Sequence, residues 1–264
     1  MVPLTVVNKA GGNQAVAIAY LNQHAGDAHY VAIANPSLNS NYLTGISDSR
    51  YLDVSPLALL SSEYTVFTVP ASSPVKRIAD LAEILKKAPE SVAIGITTRG
   101  GANHLVLCLA ARVLGVDVKK LKVVSFKSNG ESMTALLGGH IQMVVSTVAA
   151  SIDQVTIGTA RFIAIGSPQR MTGSLANTPT LREQGIDVTK ANWRLVVGAK
   201  KLGAPEVAYW EEALRRLSRS ADWRAALDKE YWTDSFMVGR ELGAFLENEY
   251  AIDKALLSEL GLTK

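Results

Sequence analysis

Gly100-Gly101-Ala102-Asn103-His104 lies between an apolar segment, Ser91–Ile96, and the apolar run Leu105–Leu114. Residues of these types at this spacing read as a strand, a tight turn and the start of a helix. A helix start presents unpaired backbone N–H groups, and the helix dipole places partial positive charge on them, so the chemistry on offer is anion capture. Two related stretches follow. Val123–Phe126 runs into Lys127-Ser128-Asn129-Gly130-Glu131, and Ile141–Val145 runs into Ser146-Thr147. In an open parallel sheet such turns gather along one edge, where several can address a single ligand.

Each candidate group has a second use. Asn103 suits a helix cap as well as a ligand contact. His104 has the chemistry of a general base, a hydrogen-bond donor or a core residue, and no Ser, Cys or acid stands with it in a nucleophile motif. Ser146 and Thr147 can offer hydroxyls to a ligand or cap the next helix. Arg99 and Lys127 border the turns, where they could pair with a second carboxylate or extend into solvent. The four histidines, 24, 29, 104 and 140, lack metal-ligand spacing. Gly11-Gly12 has no third glycine at the offset of a dinucleotide fingerprint. No catalytic residue, cofactor or metal is expected.

Strands and helices must place these turns. Leu4–Val7, Tyr30–Ala34, Tyr64–Val69, Ser91–Ile96, Phe162–Ile165 and Trp193–Val197 read as strands, and Gln14–His24 and Asp80–Lys87 as helices. From Pro205 the pattern is helical almost to the end. Alternation of this kind predicts an α/β fold with mostly parallel sheets. A length of 264 residues suggests about two domains. Tyr64–Val69 and Trp193–Val197 border proline-containing loops and are read as crossings between lobes. The division expected is residues 1–74 with 193–264 as one lobe and 75–192 as the other, joined by a hinge.

Composition excludes several classes. The chain is 48% hydrophobic and 19% charged, with no apolar run near the roughly 20 residues that span a bilayer. A net charge of +3 is dispersed, without the dense basic block of nucleic-acid binders. The single cysteine, Cys108, lies in an apolar run and reads as core. Trp210, Trp223 and Trp232, with Tyr209, Tyr231 and Tyr250, read as packing residues. Met1–Val7 shows neither the basic nor the long apolar region of a secretory leader.

Five stretches together resemble the periplasmic solute receptors of tripartite tricarboxylate transporters, also called the Bug family. They are Gly11-Gly12-Asn13; Pro74-Val75-Lys76 with Asp80-Leu81; Gly100–Leu105; Ala135–Ile141; and Thr178–Gly185. Asn192-Trp193-Arg194 resembles the tricarboxylate-receptor branch. The resemblance covers essentially the whole chain. It implies a two-lobed, Venus-flytrap binding protein of the periplasm, which hands a small organic carboxylate to membrane permease subunits. On matching positions it implies one wall built from Thr98, Gly101, Asn103 and His104, with Ser128, Asn129, Ser146 and Thr147 nearby, and Asn35 and Ser37 on the other lobe. The resemblance implies members that begin with a leader, then a strand and helix whose connecting loop contacts the ligand; this sequence is read as starting at the second strand, and without that loop binding is expected to be weakened or abolished. A cytoplasmic sensor or protein-partner module on the same fold is the alternative reading.

Overall fold

The computed structural model describes residues 4–264; Met1–Pro3, part of the segment read above for leader character, lie outside the described residues. In chain order the elements are α1 Ala15–Asn22, β1 Val31–Ala34, α2 Ser37–Leu43, β2 Ser55–Pro70, α3 Ile78–Lys87, β3 Ile94–Ile96 and α4 Ala102–Val113. There follow β4 Val123–Ser125, α5 Asn129–Leu137, β5 Met143–Thr147, α6 Val148–Thr156, β6 Ala160–Ile165 and β7 Ala191–Gly198. The last are α7 Ala204–Ser218, α8 Ala221–Glu230, β8 Thr233–Met237 and α9 Gly239–Glu259. Short 3₁₀ turns connect several of them.

The chain forms two compact units. Unit 1 comprises Met1–Ser61, Trp193–Leu227 and Asp234–Lys264; unit 2 comprises Ser62–Asn192 and Asp228–Thr233. Chain passes between them within β2, at Ser61/Ser62, within β7, at Asn192/Trp193, within α8, at Leu227/Asp228, and within β8, at Thr233/Asp234.

In unit 1, β7 runs antiparallel to β1, with Val31 opposite Gly198 and Ala34 opposite Leu195. Period-2 alternation on β7 serves two cores. Trp193, Leu195 and Val197 join Ile18, Leu21, Leu38, Leu59, Leu242 and Leu246, whereas Val196 packs with Leu57, Leu60 and Leu214. From Leu195 to Gly198 β7 is buried on both faces, whereas Asn192 and Arg194 nearer its start are half-buried.

In unit 2, β3 pairs in parallel with β4 and with β5. The intervening α4 and α5 supply the crossovers that parallel strands require. β2 runs antiparallel to both β5 and β6. The sheets are therefore mixed, and the mostly parallel arrangement expected from the sequence holds only for β3, β4 and β5. Strand–helix alternation fixes the direction of those strands, but it carries no information on β2, which arrives from the other unit and inserts between β5 and β6.

Three further departures have physical causes. Leu4–Val7 forms no strand: it runs as irregular chain, with Leu4, Val6 and Val7 exposed at 82%, 88% and 58%, and no strand ladder takes up its backbone groups. β2 extends nine residues before Tyr64, through the Leu57–Ser62 stretch, where burial on both faces removes the polar alternation that marks a strand. β8 interrupts the helical C-terminal region.

Gly95 sits where β3 is most tightly covered. A Cβ there would lie 2.6 Å from Ile141 Cδ1 and 3.2 Å from Phe126. Gly95→Ala is expected to destabilise by about 1–3 kcal/mol through overpacking, measurable as a lower urea midpoint at unchanged slope.

Candidate functional site

The carboxyl ends of β3, β4, β5 and β6 share one edge of unit 2. On that edge Thr65 of β2 lies opposite Thr147, the last residue of β5 and the N-cap of α6. The Thr65 carbonyl accepts the Gly166 N–H, just beyond β6, at 2.8 Å. The Thr65 hydroxyl donates to Asn103 Oδ1 at 2.8 Å, bringing the start of α4 to the same place. Two helix N-termini, those of α4 and α6, therefore meet around Thr65.

Neither terminus is closed by a side chain. Gly101, the N-cap of α4, has none to offer, and Thr147 makes no capping hydrogen bond. The first-turn N–H groups of both helices remain available to an external acceptor. Gly101 also has to be small, because a Cβ there would come within 3.1 Å of Thr98 Cβ and 3.2 Å of the Thr98 carbonyl. Its own N–H donates to that carbonyl at 3.2 Å. Gly100, at φ +76°, takes the left-handed conformation that turns the chain into α4.

The third turn is built differently. Ser128 Oγ accepts the Glu131 N–H at 3.1 Å, so a side chain caps α5, and Glu131 Oε2 accepts the Lys127 N–H, just before the helix, at 2.9 Å. The Asn129 carbonyl accepts the Ser132 hydroxyl.

His104 is held inside. Its Nδ1 accepts the Gly100 N–H at 3.0 Å, and its Nε2 lies 3.6 Å from Cys108 Sγ. With Nδ1 accepting, the neutral ring carries its proton on Nε2. Burial pushes the imidazole down to about 4, with the nearby Arg99 guanidinium acting in the same direction. The ring is a neutral latch on the Gly100 turn. Ser146 is buried and bonded to Ser151 Oγ at 2.7 Å. Arg99 Nη2 reaches across to the Val123 carbonyl at 2.9 Å.

Asn35 and Ser37 belong to unit 1. Asn35 Oδ1 accepts the Ser37 N–H at 2.9 Å and a donor from Gln14 at 3.2 Å, and Ser37 Oγ accepts from Asn13 Nδ2 at 2.7 Å. Two residues of interest were missed in the sequence. Thr65 is fully buried inside a strand and belongs to no motif. Asn39, on α2, is fully buried, and neither atom of its amide has a partner among the described residues.

A family model described as tripartite tricarboxylate transporter family receptor matches residues 2–262. The chain belongs to that family. It is a solute-binding receptor of the tripartite tricarboxylate transporter type, in a family of periplasmic binding proteins that take small carboxylates and work with transporter permeases. A Cupriavidus necator relative, named as a UPF0065 protein in the gbd 5′ region, is 26% identical over 99% of this chain and 79% of its own length. A TctC solute-binding protein from Polaromonas is 25% identical with a TM-score of 0.80, over 96% of this chain and 86% of that one. An R. palustris protein solved with adipate is 19% identical with a TM-score of 0.81, over 96% and 85%, and shares the fold. As a receptor of this family, the chain has an α/β fold with mixed sheets flanked by helices, in common with its structural neighbours.

Proposed function

We propose that this receptor holds one carboxylate of a small organic anion on unit 2, at the N-termini of α4 and α6, without transforming it. The ligand groups are the first-turn N–H groups of the two helices, the Asn103 amide and the hydroxyls of Thr98 and Thr147. Gly101 allows the close approach. The observation that carries the reading is the meeting of two uncapped helix N-termini at one sheet edge. No proton-transfer partner accompanies them, because the His104 ring is engaged at both nitrogens and held neutral.

The reading extends to Asn35 and Ser37 on unit 1 as further ligand residues. Ser128, Asn129, Ser146 and His104 act on unit 2 by shaping the turns. The two units are proposed as the lobes of a hinged receptor that works in the periplasm and delivers its ligand to permease subunits. Magnitudes require several groups. Micromolar binding needs about 8 kcal/mol, whereas one helix N-terminus supplies about 0.3–1 kcal/mol, or about 2 when partly buried.

The test is a thermal-shift titration with adipate, malate and citrate. Binding to the native state raises stability by about 2.7 kcal/mol at a ligand concentration of 100 Kd. A saturable rise with at least one acid, reduced in Asn103→Ala, is the expected result. Flat curves with all three acids would overturn the reading.

A further inference from the structure

Resting on the reading of Asn35 as a ligand residue of unit 1, we infer that it selects its ligand by presenting only the donor end of its amide, and that Gln14 is the positioning residue that holds it so. An asparagine amide has an acceptor end and a donor end, and its orientation is decided wherever it meets groups that cannot exchange roles. The groups around Asn35 are of that kind. The backbone N–H of Ser37, which can only donate, bonds Oδ1 at 2.9 Å. Gln14 Nε2 bonds the same oxygen at 3.2 Å. The Gln14 amide is itself fixed by backbone: its Oε1 accepts the Asn35 N–H at 3.2 Å, and its Nε2 donates to the Asn35 carbonyl at 3.1 Å. Turning the Asn35 amide over would set Nδ2 against two donors at once. Its two Nδ2 N–H groups, without a partner among the described residues, are the end left for a ligand.

Gln14 holds this position from an unusual backbone. It sits at φ +74°, in the left-handed region that a residue with a Cβ rarely adopts and that persists where the surroundings enforce it. Asn13 precedes it at φ +49°. Asn41 secures the turn from α2: only 3% exposed, its Nδ2 donates to the carbonyls of Gly12 and Asn13 at 3.0 and 2.8 Å. The chemical consequence is selection by role. A carboxylate accepts and can meet the Asn35 donors, whereas an ammonium group carries donors only and cannot.

The experiment compares the wild-type chain with Asn35→Asp, Asn35→Ala, Gln14→Gly and the double variant Gln14→Gly/Asn35→Ala. Calorimetric affinities are measured for adipate, malate and citrate, and for the analogue of the best-binding acid in which an ammonium group replaces one carboxylate. Asn35→Asp keeps the oxygen that accepts from Ser37 and Gln14 and exchanges the two N–H groups for a negative oxygen. It is expected to weaken acid binding by about tenfold or more, the usual scale for a hydrogen bond to a charged group, and to narrow or reverse the preference for the acid over the ammonium analogue. Gln14→Gly removes the side-chain amide while suiting the left-handed backbone. It is expected to weaken acid binding about two- to tenfold, the scale of one neutral hydrogen bond. In the Asn35→Ala background the Gln14→Gly change should have no further effect on affinity.

A merely structural role for Gln14 would change the melting temperature and leave acid affinity as it is, and that result would overturn the inference. Retention of the wild-type preference by Asn35→Asp would also overturn it, while leaving the proposed carboxylate site on unit 2 standing. Absence of acid binding by the wild-type chain would overturn both.

Discussion

Trp193→Ala is expected to destabilise unit 1 by about 3–5 kcal/mol, the range for deleting a buried large aromatic side chain. Trp193 is fully buried at the point where β7 enters unit 1. Its ring meets Phe245 edge-on, with centroids 6.4 Å apart, and it joins the strands to α1 and α9 in one core. The substitution also removes a donor from the interior. Trp193 Nε1–H donates at 3.2 Å to Oε2 of Glu249, a carboxylate only 7% exposed. A buried carboxylate that loses a donor adds to the penalty of the cavity. For a chain of this size each kcal/mol lowers the melting temperature by about 2–4 °C, so a fall of about 10 °C in far-UV circular dichroism is expected. Trp193→Phe, which keeps most of the volume but not the N–H, should fall between. A shift under about 3 °C for Trp193→Ala would show that the core closes around the vacancy and that this residue is not its centre.

The sequence announces Trp193 weakly and the Gly100 turn strongly, for reasons that can be traced. Around Gly100 an apolar strand, two glycines and a capping-type residue stand in the order a strand–turn–helix requires, all within local reach, so α4 and its open N-terminus can be read directly. Ser128 and Glu131 are equally local. Their spacing is also that of a capping box, and the fold caps α5 with Ser128, so similar-looking turns differ in what they leave available. The first half of β2 is hidden because its Leu57–Leu60 run is buried on both faces and shows no polar alternation, and β8 because Thr-Asp-Ser-Phe-Met carries little strand character. Thr65 could not be singled out from sequence: its partner Asn103 is 38 residues away, and their meeting depends on β2 inserting antiparallel beside β5. Local punctuation reveals the turns, and non-local pairing decides which of them come together.

Acidification is expected to cost the fold about 3 kcal/mol through His104 alone, between pH 6.5 and pH 4. In the folded protein the buried imidazole is held down to about 4, from an ordinary value of 6.5. The unfolded chain takes up its proton as pH falls through 6.5, while the native state resists until about pH 4. The unfolded state therefore binds more protons across this window, and stability falls as pH falls. Above pH 6.5 the group makes no difference, and below 4 the loss is complete; each unit of displacement corresponds to about 1.36 kcal/mol. His104 is only 4% exposed, so solvent screening does little to soften the effect. Asp27, Asp80 and Glu183 are also displaced, downward, by hydrogen bonds to their charged forms, and they too lose stability in acid. They are removed from consideration by comparing wild type with His104→Asn, which shares them and offers an oxygen to the Gly100 N–H in place of Nδ1. The measurement is the urea midpoint of both proteins at pH 7.5 and pH 4.5. Wild type should lose more stability than the variant on acidification, with the difference growing toward pH 4. A constant difference would mean that the ring takes up its second proton as easily in the fold as in the unfolded chain, against the burial and the Gly100 N–H that hold it neutral. Because the ring stays neutral at working pH, the proposed anion site would draw on its N–H groups and not on His104, and ligand affinity should stay level from pH 6.5 to 8, above the window in which His104 lowers stability.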